Sequence, residues 1–92
     1  MSIFRKDTTY DRIRRARTIS LRRIMEQELS DVTITGSEYY LSACYKGIEA
    51  VRVTPASARV DVYLLPYHDS AVRLTDECAR IFNKRFIVQT HY

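Results

Sequence analysis

The spacing of the apolar residues changes along this chain, and that change constrains the fold more than any other feature. Up to about Ser30 the apolar residues recur with the period of a helix. After Ser30 they alternate with the period of a strand, in short runs rich in β-branched and aromatic residues. One helix followed by several short strands is typical of an α+β fold.

The first segment predicts a helix over residues 8–29, with N-cap candidates among residues 7–11. Two arginines, Arg14 and Arg17, fall within its apolar stripe, and Ile19 falls on the opposite side. A break near residues 18–20, with Ser20 as a second N-cap, would remove these conflicts, so one helix and two shorter helices are both open. The predicted buried stripe consists of Tyr10, Ile13, Leu21, Ile24 and Met25.

The alternating segment predicts four strands, over residues 32–35, 38–46, 48–54 and 58–65. Residues 36–37 and Gly47 would turn the chain, and residues 55–57 would close a hairpin. Successive strand residues face opposite sides, so one of Tyr39 and Tyr40 is expected to be buried and the other exposed.

A second helix is predicted from Asp69 or Ser70 to Phe82, followed by a stop at residues 83–84 and a last strand over 85–89. Its inner face would carry Ala71, Leu74, Thr75, Cys78, Ile81 and Phe82. The predicted fold is therefore α+β. An antiparallel β-sheet of about four to five strands packs against a long N-terminal basic helix and a second helix before the last strand. At 92 residues the chain is expected to form a single domain over 1–92.

The positive charge is concentrated at one end of the chain. The first 25 residues hold eight basic and two acidic residues, a net of +6, whereas the remainder carries −2. Twelve of the fifteen basic residues are arginines, whose planar donors suit phosphate. On the helical projection, four arginines share an arc of about 100° opposite the apolar stripe. This arginine face consists of Arg12, Arg15, Arg22 and Arg23.

We interpret the arginine face, with the preceding Arg5 and Lys6, as a contact surface for nucleic-acid phosphates. The alternative is a solvated face tied by ion pairs such as Arg22 with Glu26. Tyr40 and Tyr63 are the tyrosines expected to be exposed and to contact a partner, because their rings can stack on bases or guanidinium groups.

Other kinds of site have little support in the sequence. Zinc-ligand spacings such as CxxC and HxxxH are absent, and the two glycines, Gly36 and Gly47, are isolated rather than part of a phosphate loop. Cys44 and Cys78 are expected to be buried, unreactive thiols. We therefore expect no cofactor, no metal, no small-molecule ligand and no enzymatic activity. With no apolar run of membrane-spanning length, we expect no membrane partner and a cytoplasmic location.

The ending Thr90-His91-Tyr92, with the small size and basic charge, is similar to that of some ribosome-dependent mRNA-cleaving toxins. That resemblance implies that His91 acts as acid or base, that Tyr92 contacts the RNA and that arginines steady the phosphate. The predicted order of elements differs, since those toxins place helices between a first strand and a closing sheet.

In length and compactness the whole chain resembles the small phage-encoded anti-CRISPR proteins directed at a type I surveillance complex. The resemblance implies a non-enzymatic inhibitor that docks on Cas subunits near the guide RNA and blocks target DNA binding. It also implies that the cytoplasm in which the protein acts is that of a bacterial host cell. Its implied partner is a complex of Cas proteins with guide RNA, and the arginine face would meet the RNA phosphates. No motif defines that group, so no residue role follows from it. A free DNA- or RNA-binding module is the alternative from a different class.

Overall fold

The computed structural model describes residues 9–56, 58–65 and 70–92. Within them the elements follow the predicted order α-β-β-β-β-α-β, and the predicted α+β fold is confirmed. The elements are α1 (Thr9–Glu28), β1 (Thr33–Gly36), β2 (Leu41–Tyr45), β3 (Ile48–Pro55), β4 (Val60–Leu64), α2 (Ala71–Phe82) and β5 (Val88–His91). Neither helix is long and apolar enough to cross a membrane.

The five strands form one sheet in the order β1-β2-β3-β4-β5, and neighbours from β1 to β4 are antiparallel as predicted. The last pair differs, because β5 runs parallel to β4, with Val60 opposite Val88 and Tyr63 opposite His91. Helix α2 connects these two strands. A helical crossover returns the chain to the start of its neighbour, so the two strands point the same way.

Both helices contribute buried side chains to a core on one side of the sheet. From α1 come Leu21 and Met25, which are fully buried, and the inner face predicted for α2 is buried at all its positions. The sheet supplies Leu41, Ala43, Val51, Val53, Val60 and Val62. The side chains between these core positions therefore point to the other side of the sheet.

Helix α1 is continuous, so the alternative of two shorter helices is not adopted. The Thr18 hydroxyl donates to the Arg14 carbonyl at 2.8 Å, within the helix, and does not start a new one. Tyr10 and Ile13, predicted on the buried stripe, are instead exposed. The Tyr10 ring lies beside the Arg14 guanidinium, 5.6 Å from its centroid, because Arg14 takes the side of the helix that faces the sheet.

Two strand boundaries also differ from the prediction. Strand β2 begins at Leu41 and not at residue 38, so Tyr39 and Tyr40 lie in a loop where both are exposed. The prediction that one of them is buried was wrong because it extended strand alternation into that loop. The last strand, predicted over 85–89, begins instead at Val88, because residues 83–85 form a turn closed by hydrogen bonds from the amides of Arg85 and Phe86 to the Phe82 carbonyl. His91 therefore lies inside the last strand.

Candidate nucleic-acid interface

The arginine face of α1 divides into free and engaged side chains. Arg12 and Arg23 are exposed, and neither has a hydrogen bond or ion pair among the residues that the structure describes. Arg15 is half-buried. Arg22 donates through Nε to Glu26 at 3.2 Å and through Nη2 to the Ile34 carbonyl at 3.2 Å. The predicted Arg22–Glu26 pair is thus present, and Arg22 also ties α1 to β1. Arg5 and Lys6 lie outside the described residues.

Arg14 and Arg17, which interrupt the apolar stripe, have a structural role as anchor arginines. Arg14 donates to the Pro55 carbonyl at 3.3 Å and to the Tyr39 carbonyl at 3.4 Å. Arg17 donates to the Ala56 carbonyl. Carbonyls at the end of a strand need such donors, and a charged donor makes a stronger bond than a neutral one. The anchor arginines therefore fix α1 to the β3–β4 turn.

Replacing the anchor arginines should lower the free energy of unfolding, whereas replacing Arg12 and Arg23 should not. For Arg14→Met with Arg17→Met we expect the free energy of unfolding to fall by about 2 kcal/mol, since bonds from charged groups contribute about 1.5–3 kcal/mol each and these are only partly buried. The matched control, Arg12→Met with Arg23→Met, should change it by less than about 0.5 kcal/mol. Urea unfolding of both double variants measures the difference, and equal losses would contradict the anchoring role.

A cleft of about 320 Å³ lies between α1 and the loop that follows β1. Arg15 and Arg22 line it together with Ile19 and Leu41, and Glu38 lies at its loop side. Ile19 is 57% exposed, which accounts for an isoleucine on the basic side of the helix: it borders this cleft and not the core. The arginine face thus combines cationic groups with an apolar hollow.

A second surface, on the other side of the sheet, carries one side chain from each of four neighbouring strands in register. Ser42 lies opposite Arg52, Arg52 opposite Tyr63, and Tyr63 opposite His91. We call this side of the sheet, with the adjoining Tyr40, the open face. The rings of Tyr63 and His91 are stacked, with centroids 4.4 Å apart and planes inclined by 14°. The Arg52 guanidinium lies 5.0 Å from the centroid of the Tyr40 ring.

The acidic groups of the open face are paired with basic ones. The Glu49 carboxylate accepts from Arg52 at 2.9 Å and from the Ser42 hydroxyl. Burial tends to raise the pKa of Glu49, but the bonds from Arg52 and Ser42 outweigh that effect and hold its pKa below the ordinary value. The local charge of this pair is therefore close to zero.

Asp61 is the most enclosed acid of the open face, with a side chain only 8% exposed. Its Oδ1 accepts from Arg59 Nε at 3.0 Å and lies 2.9 Å from His91 Nε2. A carboxylate in this position orients the imidazole and fixes which ring nitrogen holds a proton. The arrangement keeps the His91 ring parallel to that of Tyr63.

The structure brings together only part of what the sequence predicted as contact residues. Tyr40 is exposed as predicted, whereas Tyr63, also predicted to be exposed, is half-buried in its stack with His91. Their contacts with Arg52 and His91 place both tyrosines on the open face, away from the arginine face. Arg52 and His91 were not predicted as neighbours of these tyrosines. Strand alternation by itself puts Arg59, Asp61 and Tyr63 on one side of the chain, but their alignment with Arg52 and His91 depends on strand pairing that the sequence does not display.

His91 and Tyr92 engage different elements. His91 contacts β4 through Asp61 and Tyr63, whereas the Tyr92 hydroxyl donates to Asp76 of α2. That hydrogen bond raises the pKa of Tyr92. The two side chains that the toxin resemblance implies would act on one RNA are thus directed to separate parts of the molecule.

The cysteines and metal-ligating residues add no further site to the described part of the chain. Cys44 and Cys78 are both free and buried. Burial raises the pKa of the Cys78 thiol to about 12, so it is protonated and unreactive at neutral pH. Over residues 9–56, 58–65 and 70–92, no cluster of three or more His, Cys, Asp or Glu residues could hold a metal ion.

The structure therefore has two candidate contact surfaces: the arginine face on α1, and the open face on the side of the sheet opposite the helices. Comparison with family models, with curated proteins and with solved structures finds no match to this chain.

Proposed function

We propose that this chain is a non-enzymatic binding protein that inhibits a bacterial nucleoprotein machine, and that the machine is a type I CRISPR surveillance complex. The observation that carries the proposal is the state of Arg12 and Arg23. They extend from one rigid helix with no internal partner among the described residues. The anchor arginines beside them are held by backbone carbonyls. Unpaired guanidinium groups on a fixed helix suit phosphate contact.

The acidic residues of the chain supply the complementary half of the proposal. Glu28, Asp31 and Glu38 are exposed, at the end of α1 and in the loops that flank β1, whereas the exposed Glu26 is already paired with Arg22. Subunits that hold a guide RNA present lysine- and arginine-rich surfaces. Opposite charges on neighbouring patches set the orientation of docking and speed association. The arginine face would then meet guide-RNA phosphates while the acidic residues contact the protein.

Reversing the free charges should weaken the complex. We expect Arg12→Glu with Arg23→Glu to weaken binding to a purified type I surveillance complex by about tenfold or more, because each lost phosphate contact also removes counterion release. Binding of target DNA by the complex should recover in parallel. Biolayer interferometry with the immobilised surveillance complex, at two salt concentrations, measures both the affinity and its salt dependence.

The matched control is Arg73→Glu with Arg80→Glu, which makes the same change in net charge at exposed positions of α2. It should alter the affinity by less than about threefold, as expected for charges remote from an interface. If the wild-type chain neither co-elutes with the complex nor lowers its target-DNA binding, the proposal is overturned. Tight binding to bare nucleic acid, with a steep salt dependence and no inhibition, would instead support the free nucleic-acid-binding module.

A further inference from the structure

The open face has the features of a site for flat, aromatic ligands. Both helices pack on the other side of the sheet, so the side chains of the open face are not part of the core between helices and sheet. Its row of side chains runs across β2 to β5 with one residue from each strand. At about 4.8 Å between neighbouring strands, the row spans roughly 14 Å.

We propose that this open face binds the unstacked bases of a single-stranded nucleic acid. The site is separate from the arginine face and does not depend on the function proposed for it. A four-stranded sheet with aromatic side chains on its surface can stack two or three bases, and stacking tolerates different sequences because every base has a π-face.

Two π-surfaces on the open face are already arranged for stacking. Tyr63 and His91 form a nearly parallel pair, 4.4 Å between centroids, held in place by the Asp61 carboxylate. Tyr40 and the Arg52 guanidinium form the second pair, and Tyr40 is 38% exposed. Planar groups that are held by neighbours lose less conformational entropy when a base stacks on them.

Next to these pairs lies a hollow of about 390 Å³, lined by Arg52, Thr54, Tyr63 and the leucines at the end of β4. It offers an apolar wall and an aromatic edge together with hydroxyl and guanidinium donors. A nucleobase has the same combination of a flat apolar face and a polar edge. The hollow therefore suits a base better than it suits an extended apolar side chain.

The charges of the open face suit a single strand better than a duplex. The Glu49 carboxylate is paired with Arg52, and the Asp61 carboxylate is paired with Arg59. The side chains of Arg52 and Arg59 remain 46% and 54% exposed, and so can also reach backbone phosphates. Contacts between these two cations and backbone phosphates would contribute only modestly to the binding free energy. The affinity would therefore depend mainly on base stacking, which only unpaired bases can supply.

The test is fluorescence anisotropy of the full chain with labelled seven-nucleotide oligouridine and oligothymidine, and with a duplex of equal length. We expect both single strands to bind and the duplex to bind at least tenfold more weakly. Tyr63→Leu should weaken single-strand binding by about tenfold, and Tyr40→Leu by about fivefold, in line with the loss of one stacked base.

The matched control is Tyr10→Leu, the same substitution at a tyrosine of α1 that is 45% exposed. It should leave the affinity within about twofold. Tyr63→Phe keeps the ring and should also keep binding, which guards against a Tyr63→Leu variant that fails to fold. Equal losses in Tyr63→Leu and Tyr10→Leu, duplex binding as strong as single-strand binding, or no binding by the wild type would overturn the proposal. None of these outcomes bears on inhibition through the arginine face, which is read from the Arg12 and Arg23 variants.

Discussion

Replacing Gly36 with alanine is expected to lower the free energy of unfolding by about 3 kcal/mol or more, from two additive causes. The backbone at Gly36 has φ of +144°, a conformation that costs a side-chain-bearing residue about 1–3 kcal/mol. A Cβ atom there would lie 2.3 Å from the Tyr40 carbonyl oxygen and 2.8 Å from Leu41 Cα. These are backbone atoms held by strand pairing, so relieving the overlap requires the strands to move, at a further cost of about 1–3 kcal/mol.

Gly47→Ala provides the matched comparison. Gly47 also has a positive φ, +82°, in the two-residue turn that it forms with Lys46 between β2 and β3. Nothing lies within 4 Å of a Cβ built there, so only the conformational cost of about 1 kcal/mol applies. Urea unfolding with linear extrapolation should give a much lower free energy of unfolding for Gly36→Ala than for Gly47→Ala. Similar losses for both variants would show that the loop accommodates the extra atom.

Gly36 also links the fold to both surfaces. The loop from Ser37 to Tyr40 follows directly after Gly36, and a hydrogen bond of 2.9 Å from the Ser37 amide to the Tyr40 carbonyl closes it. It places Tyr40 beside Arg52 on the open face and forms one wall of the cleft beside Arg15. If Gly36→Ala remains folded, we therefore expect it to bind single strands more weakly, as Tyr40→Leu does.

The parts of this structure that follow from local sequence were predicted, and those that follow from distant contacts were not. The alternation after Ser30 and the apolar spacing of α2 each depend on neighbouring residues. The strands and α2 formed in the predicted order, although β2 and β5 begin three residues later than predicted. The anchor role of Arg14 depends on the Pro55 carbonyl, 41 residues away in the chain. Local periodicity shows only that Arg14 interrupts the apolar stripe of α1.

The same distinction applies to the candidate sites. Helical projection placed Arg12 and Arg23 on the outer side of α1, because one helix determines their position. The alignment of Arg52, Tyr63 and His91 instead requires the pairing of three strands, one of them parallel. A one-residue change in register would move any of the three to the other side of the sheet. Only the paired sheet therefore shows that they are neighbours.

The two surfaces differ in the pairing of their charges. On the helical side, Arg12 and Arg23 have no partner among the described residues, whereas on the sheet side Arg52 and Arg59 are paired with Glu49 and Asp61. Salt should therefore weaken contacts of the arginine face much more than contacts of the open face, since counterion release scales with the number of phosphates neutralised.

Helix α2 separates the core from solvent on the helical side and packs against three strands of the sheet, β3, β4 and β5.

Truncating Phe82 is expected to have the largest effect of any single side-chain removal in α2, a loss of about 3–5 kcal/mol. Phe82 is completely buried at the end of the helix, and the sheet and both helices share the core that it fills. Against a stability of about 5–15 kcal/mol for a domain of this size, Phe82→Ala should lower the melting midpoint by at least about 12 °C.

Val72→Ala is the matched control on the same helix, since Val72 is 50% exposed, and it should shift the free energy of unfolding by no more than about 0.5 kcal/mol. Because Phe82 lies on the core side of the sheet, its loss lowers the population of folded molecules without altering the open face. Single-strand affinity, corrected for the folded fraction, should therefore equal that of the wild type in both variants. A corrected affinity that falls only in Phe82→Ala would mean that core packing sets the geometry of the Tyr63–His91 pair, and that the open face is not independent of the helices beneath it.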